Sequence, residues 1–199
     1  MKAVAITQRV TVDPRHGERR DCLDQRWSEF LFACGCVGIP MSNRPKAAAA
    51  LLDTVAVAGI VLTGGNDLAV YGGDAPERDE AENELIDIAE RRNLPVIGVC
   101  RGMQVLQHRY GVPLERVEGH VAPRQDILIE GRRAEVNSYH TFGARENREP
   151  LEVWAVAPDG IVKAVRHIAG RKLAMMWHPE RLAPFANRDI ALFRDFFDR

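Results

Sequence analysis

The chain has 199 residues, long enough to bury the core of one domain, and residues 1–199 are read as a single domain. Its 27 Lys and Arg against 28 Asp and Glu leave a formal net charge of −1, so nothing general favours a nucleic acid or an anionic membrane as partner. No apolar run approaches the roughly 18 residues of a membrane span, and the expected setting is the cytoplasm. Four cysteines (Cys22, Cys34, Cys36 and Cys100) form neither a disulfide framework nor a paired zinc spacing. Cys34-Gly35-Cys36 therefore reads as packing, and no metal is expected.

In chain order, Lys2–Thr7 is a short apolar strand, followed by a polar, arginine-rich loop, Gln8–Arg20. Leu23, Trp27, Phe30, Leu31 and Cys34 recur at helical spacing and predict an amphipathic helix. Val37–Met41 is a second strand. Pro45 opens an alanine-rich helix that runs to about Leu52. Val55–Thr63 carries a continuous apolar run stopped by Gly64-Gly65, the pattern of a strand buried on both faces. Asn66–Arg78 reads as loop. Asp79 and Glu82 have capping-box spacing before a helix that carries Ala81, Leu85, Ile88 and Ala89 on one face. Pro95–Val99 is a strand and Gly102–Tyr110 a helix. This alternation predicts a parallel sheet with helices on both sides.

The pattern changes after Gly111. Gln125–Glu130 and Arg133–Asn137 flank Gly131-Arg132 as one hairpin. Leu151–Ala157 and Ile161–Arg166 flank Pro158-Asp159-Gly160 as another. Lys172–Trp177 is a further strand, and a helix from about Asn187 places Ile190, Phe193 and Phe197 on one face. The predicted architecture is α/β, a mainly parallel central sheet with antiparallel additions in the C-terminal half.

The stretch with the most chemistry is Gly98-Val99-Cys100-Arg101-Gly102. An apolar strand followed by Gly-x-nucleophile-x-Gly is the pattern of a nucleophile elbow, where a sharp strand-to-helix turn presents one side chain. A lone cysteine at a strand end is more often inert packing. Such a nucleophile needs a base, and the base needs an orienter. His178 closes a predicted strand and precedes Pro179 and Glu180. A carboxylate two residues on can hold one imidazole nitrogen while the other faces the thiol.

Gly98–Gln104 together with Trp177-His178-Pro179-Glu180 resembles the class I glutamine amidotransferase family. Within it, the likeness is to the γ-glutamyl hydrolases that cleave γ-glutamyl amides without a synthase domain. Leu62–Asp67, Val136–His140 and Arg78-Asp79 match the same branch, so the resemblance covers nearly the whole chain. It implies a three-layer, flavodoxin-like fold. Cys100 would be the nucleophile, His178 the general acid and base, and Glu180 its orienter. The backbone N–H groups of Gly65 and Arg101 would form the oxyanion hole. Gly64, Gln104, Asn137, Ser138, Tyr139 and His140 would bind the glutamyl group, although His140 is equally well read as shaping the pocket. No cofactor is implied, and a homodimer is compatible with the resemblance.

The group on the amide nitrogen is a separate question. The γ-glutamyl-γ-aminobutyrate hydrolases carry a Gly-Gly-rich segment where this chain has only Tyr110–Leu114. Residues Ala5–Arg9, His16–Leu23 and Trp27 instead resemble the subgroup that hydrolyses γ-glutamyl-CDP-amidate. That subgroup releases cytidine diphosphoramidate for phosphoramidate decoration of surface polysaccharide. A small-molecule, nucleotide-linked γ-glutamyl substrate would then meet Arg9 and Arg19 in the arginine-rich loop, which lies at the carboxyl edge of the sheet. A solvated charged loop balanced by Asp13, Glu18 and Asp21 is the plainer reading of the same residues. A glutaminase subunit feeding ammonia to a partner synthase is the remaining alternative.

Overall fold

A computed structural model describes residues 1–168 and 170–198. Its N-terminal half alternates as expected. Strand β1 (Lys2–Ile6) is followed by a hairpin of β2 (Arg9–Val12) and β3 (Arg19–Cys22). Then come α1 (Arg26–Ala33), β4 (Cys36–Pro40), α2 (Pro45–Thr54), β5 (Ile60–Leu62), α3 (Pro76–Arg92), β6 (Val96–Val99) and α4 (Arg101–Arg109). The second half holds β7 (Glu115–Arg116), β8 (Val121–Ile129), β9 (Arg132–Tyr139), β10 (Phe142–Gly143), β11 (Leu151–Val156), β12 (Val162–His167), β13 (Lys172–Met175) and α5 (Asn187–Asp198).

One nine-stranded sheet runs in the order β4-β1-β5-β6-β13-β12-β11-β8-β9. Its first five strands are mutually parallel and the rest pair antiparallel. Side chains alternate between faces along each strand, as the pleat demands. Ile60 and Leu62 of β5 pack with Leu52, Leu85 and Met103 from α2, α3 and α4. Val61 packs the other way, with Phe30 of α1 and Phe193 of α5. Helices therefore cover both faces, which makes three layers.

Three local expectations need correction. The Gln8–Arg20 segment is largely a hairpin, with Val10 paired to Asp21 and Val12 to Arg19. Gly17, at φ 66°, allows its tight turn, donating to Asp13 O at 2.8 Å. The apolar stretch from Val55 yields only Ile60–Leu62 as strand, because α2 runs to Thr54 and a connection must follow it. Finally, α3 starts at Pro76 rather than Asp79, with Ala75 as its cap. Asp79 and Glu82 are thus inside the helix, free to point their carboxylates elsewhere.

Candidate active site

The elbow sits at the end of β6, a strand buried on both faces. Cys100 adopts φ 53° and ψ −105°, a conformation that costs an L residue about 1–3 kcal/mol. Its surroundings hold it there. Cys100 N–H donates to Met175 O at 2.7 Å, and Cys100 O accepts from Met103 and Gln104 at 3.0 and 3.1 Å. A Cβ on Gly98 would lie 2.6 Å from the Gly102 carbonyl, and one on Gly102 would lie 2.2 Å from Leu62 O. Only glycine permits this close crossing of strand and helix.

His178 reaches Cys100 through sheet register. Strand β13 lies beside β6 in parallel, with Met175 opposite Val99, so three further residues carry His178 alongside the thiol. Asn137 fixes that position, donating to His178 O at 2.8 Å and accepting from His178 N–H at 2.7 Å. Nδ1 of His178 meets Glu180 Oε1 at 2.7 Å, which leaves Nε2 to the thiol. Burial opposes charge on this imidazole. The charge and hydrogen bond of Cys100, reinforced by Glu180, outweigh burial and raise the pKa to about 9. The pair is therefore set up as imidazolium beside sulfur at neutral pH.

A cleft of about 250 Å³ opens in front of Cys100, lined among others by Gly65, Arg101, Gln104, Tyr139 and His140. Gly65 has φ 88°. Among the described residues, neither its N–H nor that of Arg101 donates to a backbone carbonyl. Arg101 opens α4, where the first N–H groups have no helical partner and the dipole is positive. Gly64 packs under His178, since a Cβ there would lie 2.7 Å from Cε1 of the ring.

Not every expected residue faces this cleft. Ser138 is fully buried, donating to His120 O and accepting from Lys163 Nζ at 3.0 Å. With Asn137 it forms the back wall, because their polar groups are already engaged. His140 accepts from Lys163 Nζ at 2.7 Å and approaches Phe142 O at 2.9 Å through Nδ1. Burial and then the Lys163 charge push the His140 pKa down to about 3, so it is a neutral lining group. Arg19 is engaged elsewhere, donating to Glu77 at 2.6 Å and to Asp74 O at 2.7 Å. Arg9 is near the site: a Cβ on Gly65 would lie 3.1 Å from its Nε.

Sequence reasoning passed over the buried ions beneath the site. Arg78, Glu82 and Arg101 are almost wholly inaccessible, and Lys163 is too. An Arg-x-x-x-Glu pair at i, i+4 in line with Leu85 and Ala89 was the available signal, because charges on an apolar face need buried partners.

The family model for Peptidase C26 matches residues 3–122 and 111–180 of this chain. The chain belongs to the peptidase C26 family. This C26 member is 27% identical to the gamma-glutamyl-CDP-amidate hydrolase of Campylobacter jejuni, across 98% of this chain and 96% of that protein. It is 31% identical to a gamma-glutamyl-gamma-aminobutyrate hydrolase of Escherichia coli O157:H7, over 62% of this chain and 59% of that protein. Its fold matches a glutamine amidotransferase from Thermotoga maritima with a TM-score of 0.69 at 16% identity, covering 99% of this chain and 84% of that one. The C26 member is thus an enzyme of the γ-glutamyl hydrolase kind on a class I glutamine amidotransferase-like fold.

Proposed function

We propose that Cys100 is the nucleophile, His178 the general acid and base, and Glu180 the orienter in hydrolysis of a γ-glutamyl amide. The observation that carries this reading is the strained Cys100 backbone beside a His178 that is itself held by Glu180 at 2.7 Å. The thiolate adds to the γ-carbonyl carbon, and the carbonyl electron pair moves to oxygen. The N–H groups of Gly65 and Arg101 meet that charge; one such donor is typically worth about 3 kcal/mol of barrier. As the C–N bond breaks, His178 gives its proton to the leaving nitrogen. Water, deprotonated by the now neutral His178, then attacks the thioester and releases glutamate and the thiol. Gln104, Tyr139 and His140 line the cleft for the glutamyl group.

For the group on nitrogen, the reading is a nucleoside diphosphate, as in γ-glutamyl-CDP-amidate, whose cleavage gives cytidine diphosphoramidate for phosphoramidate modification of surface polysaccharide. The near end-to-end match to the Campylobacter jejuni relative supports it. So does Arg9, whose guanidinium rests against the Gly65 turn, and Arg181, which stacks 5.1 Å over Tyr139. A phosphoryl substituent also makes the nitrogen a better leaving group than an alkylamine. The same reading makes residues 1–199 one catalytic domain of the cytoplasm, where free thiols such as Cys34 and Cys36 persist. The second reading, a γ-glutamyl-γ-aminobutyrate hydrolase, draws on the Escherichia coli relative.

The test is glutamate release by the purified protein from γ-glutamyl-CDP-amidate, γ-glutamyl-γ-aminobutyrate and L-glutamine in parallel. The expected result is preference for the first, abolished by Cys100→Ala. Preference for glutamine, with stimulation by a synthase, would favour a glutaminase subunit. Undiminished activity of Cys100→Ala would remove the nucleophile assignment altogether.

A further inference from the structure

We propose that one buried ion network, Arg78–Glu82–Arg101–Asp79, positions both candidate oxyanion donors at once. This rests on the reading of Cys100 as nucleophile and adds to it Arg78, Glu82 and Asp79, which lie outside the lining of the cleft in front of Cys100.

Arg78 is fully buried at the start of α3, under the turn that follows β5. Its guanidinium donates to Thr63 O at 2.8 Å, Thr63 Oγ1 at 3.1 Å, Gly64 O at 3.2 Å and, more closely, Gly65 O. Three successive carbonyls are drawn inward by one planar fork. In a trans peptide the C=O of one residue and the N–H of the next point in opposite directions. Holding Gly64 O against Arg78 therefore aims Gly65 N–H the other way, toward the cleft that Gly65 lines.

The second donor is tied to the same ions. Glu82 shares its carboxylate, Oε1 accepting from Arg78 Nε at 3.0 Å and Oε2 from the Arg101 side chain. Arg101 also donates to Asp79, whose other oxygen accepts from Ala69 N–H at 2.8 Å. The Arg101 side chain thus anchors the first residue of α4, a residue that also lines the cleft and whose N–H donates to no backbone carbonyl among the described residues. Thr7, just past the end of β1, accepts Thr63 N–H at 2.9 Å through its hydroxyl, and its side chain is among the groups that favour the charged Glu82 carboxylate against burial. The ends of β1 and β5 and the start of α4 are thereby fastened to α3. Two guanidinium groups balance two carboxylates, as buried charges require. Lys would not substitute for Arg78, because a point charge cannot engage three carbonyls in a plane.

The experiment compares Arg78→Lys, Glu82→Gln and the milder Thr7→Val with wild type. Glutamate release is measured on the best substrate of the three-amide panel. Binding of N-acetyl-glutamate γ-semialdehyde, whose blocked nitrogen cannot condense with its own aldehyde, is measured alongside it, since the thiolate adds to that aldehyde carbon while the carbonyl pair moves to oxygen and takes up a proton. Substrate affinity is measured separately in each variant with Cys100→Ala added. Arg78→Lys and Glu82→Gln should lower kcat about 100-fold, as loss of an oxyanion donor does, and Thr7→Val about 10-fold. Semialdehyde affinity should fall in proportion, with substrate affinity held within about threefold. A purely structural network would lower thermal stability yet leave that split unmoved. If either charged variant fails to fold, Thr7→Val decides alone. Folded variants with unchanged semialdehyde affinity, or with substrate affinity falling equally, would overturn the clamp. Retained hydrolysis by Cys100→Ala alone would instead overturn the nucleophile reading, and the clamp with it.

Discussion

At the scale of single residues, the pH dependence follows from His178. Its pKa is raised to about 9 against the pull of burial, so the imidazolium persists through neutral pH. In the proposed mechanism His178 gives its proton to the leaving nitrogen, so it works below that value and fails above it. The profile of kcat/KM should therefore carry an alkaline limb near pH 9. Glu180→Gln removes one of the interactions that raise the pKa, so the limb should move to lower pH as kcat falls about 10- to 100-fold. A limb that stays in place would mean that another group supplies the proton. Arg9 gives a second test at this scale. Its alanine variant should lose at least about 10-fold on the diphosphate-bearing amide and little on γ-glutamyl-γ-aminobutyrate, because a guanidinium pairing with phosphate is a charge-assisted contact. Equal losses on both amides would make Arg9 a scaffold for the Gly65 turn.

At the scale of elements, the elbow depends on two backbones that cross without side chains between them. Gly102→Ala would place a carbon 2.2 Å from Leu62 O, with strand β5 already fixed between β1 and β6. The cost should be about 2–4 kcal/mol by urea unfolding, with glutamate release falling at least about 100-fold as Cys100 is displaced. Full activity in a stable Gly102→Ala protein would show that the crossing tolerates more than its geometry allows. The elbow was legible in the sequence because its signal is local: an apolar strand, two glycines and a nucleophile within one short window. The contact of Glu180 with His178 was legible for the same reason, because the two are only two residues apart. The back wall was not. Asn137 and Ser138 look like substrate ligands in one dimension, and only packing reveals that Asn137 holds the His178 backbone and Ser138 sits on Lys163. The β2–β3 hairpin was obscured by charge, since Arg9, Arg19 and Arg20 mask the Val10 and Val12 alternation.

At the scale of the molecule, the site exists because a late strand is inserted into an early sheet. Strand β13 lies between β6 and β12, which puts the end that carries His178 next to the elbow although the two are far apart in sequence. The alternation of strands and helices announced a parallel sheet, but strand order is a matter of packing between distant segments, so it could not be read locally. What supports β13 from behind is the aromatic layer shared by α1 and α5. Phe193 is wholly buried, 4.9 Å edge-to-face from Phe30, in the same cluster as Met175, Trp177 and Cys100. Phe193→Ala should cost about 3–5 kcal/mol in urea unfolding through the cavity it leaves. Its effect should be confined to the folded fraction. The hydrogen bonds that hold His178, to Asn137 and Glu180, do not pass through Phe193. The alkaline limb of the surviving folded protein should therefore remain near pH 9. A limb that shifted with Phe193→Ala would instead mean that the aromatic layer tunes the imidazole, and that stability and chemistry are coupled across the sheet.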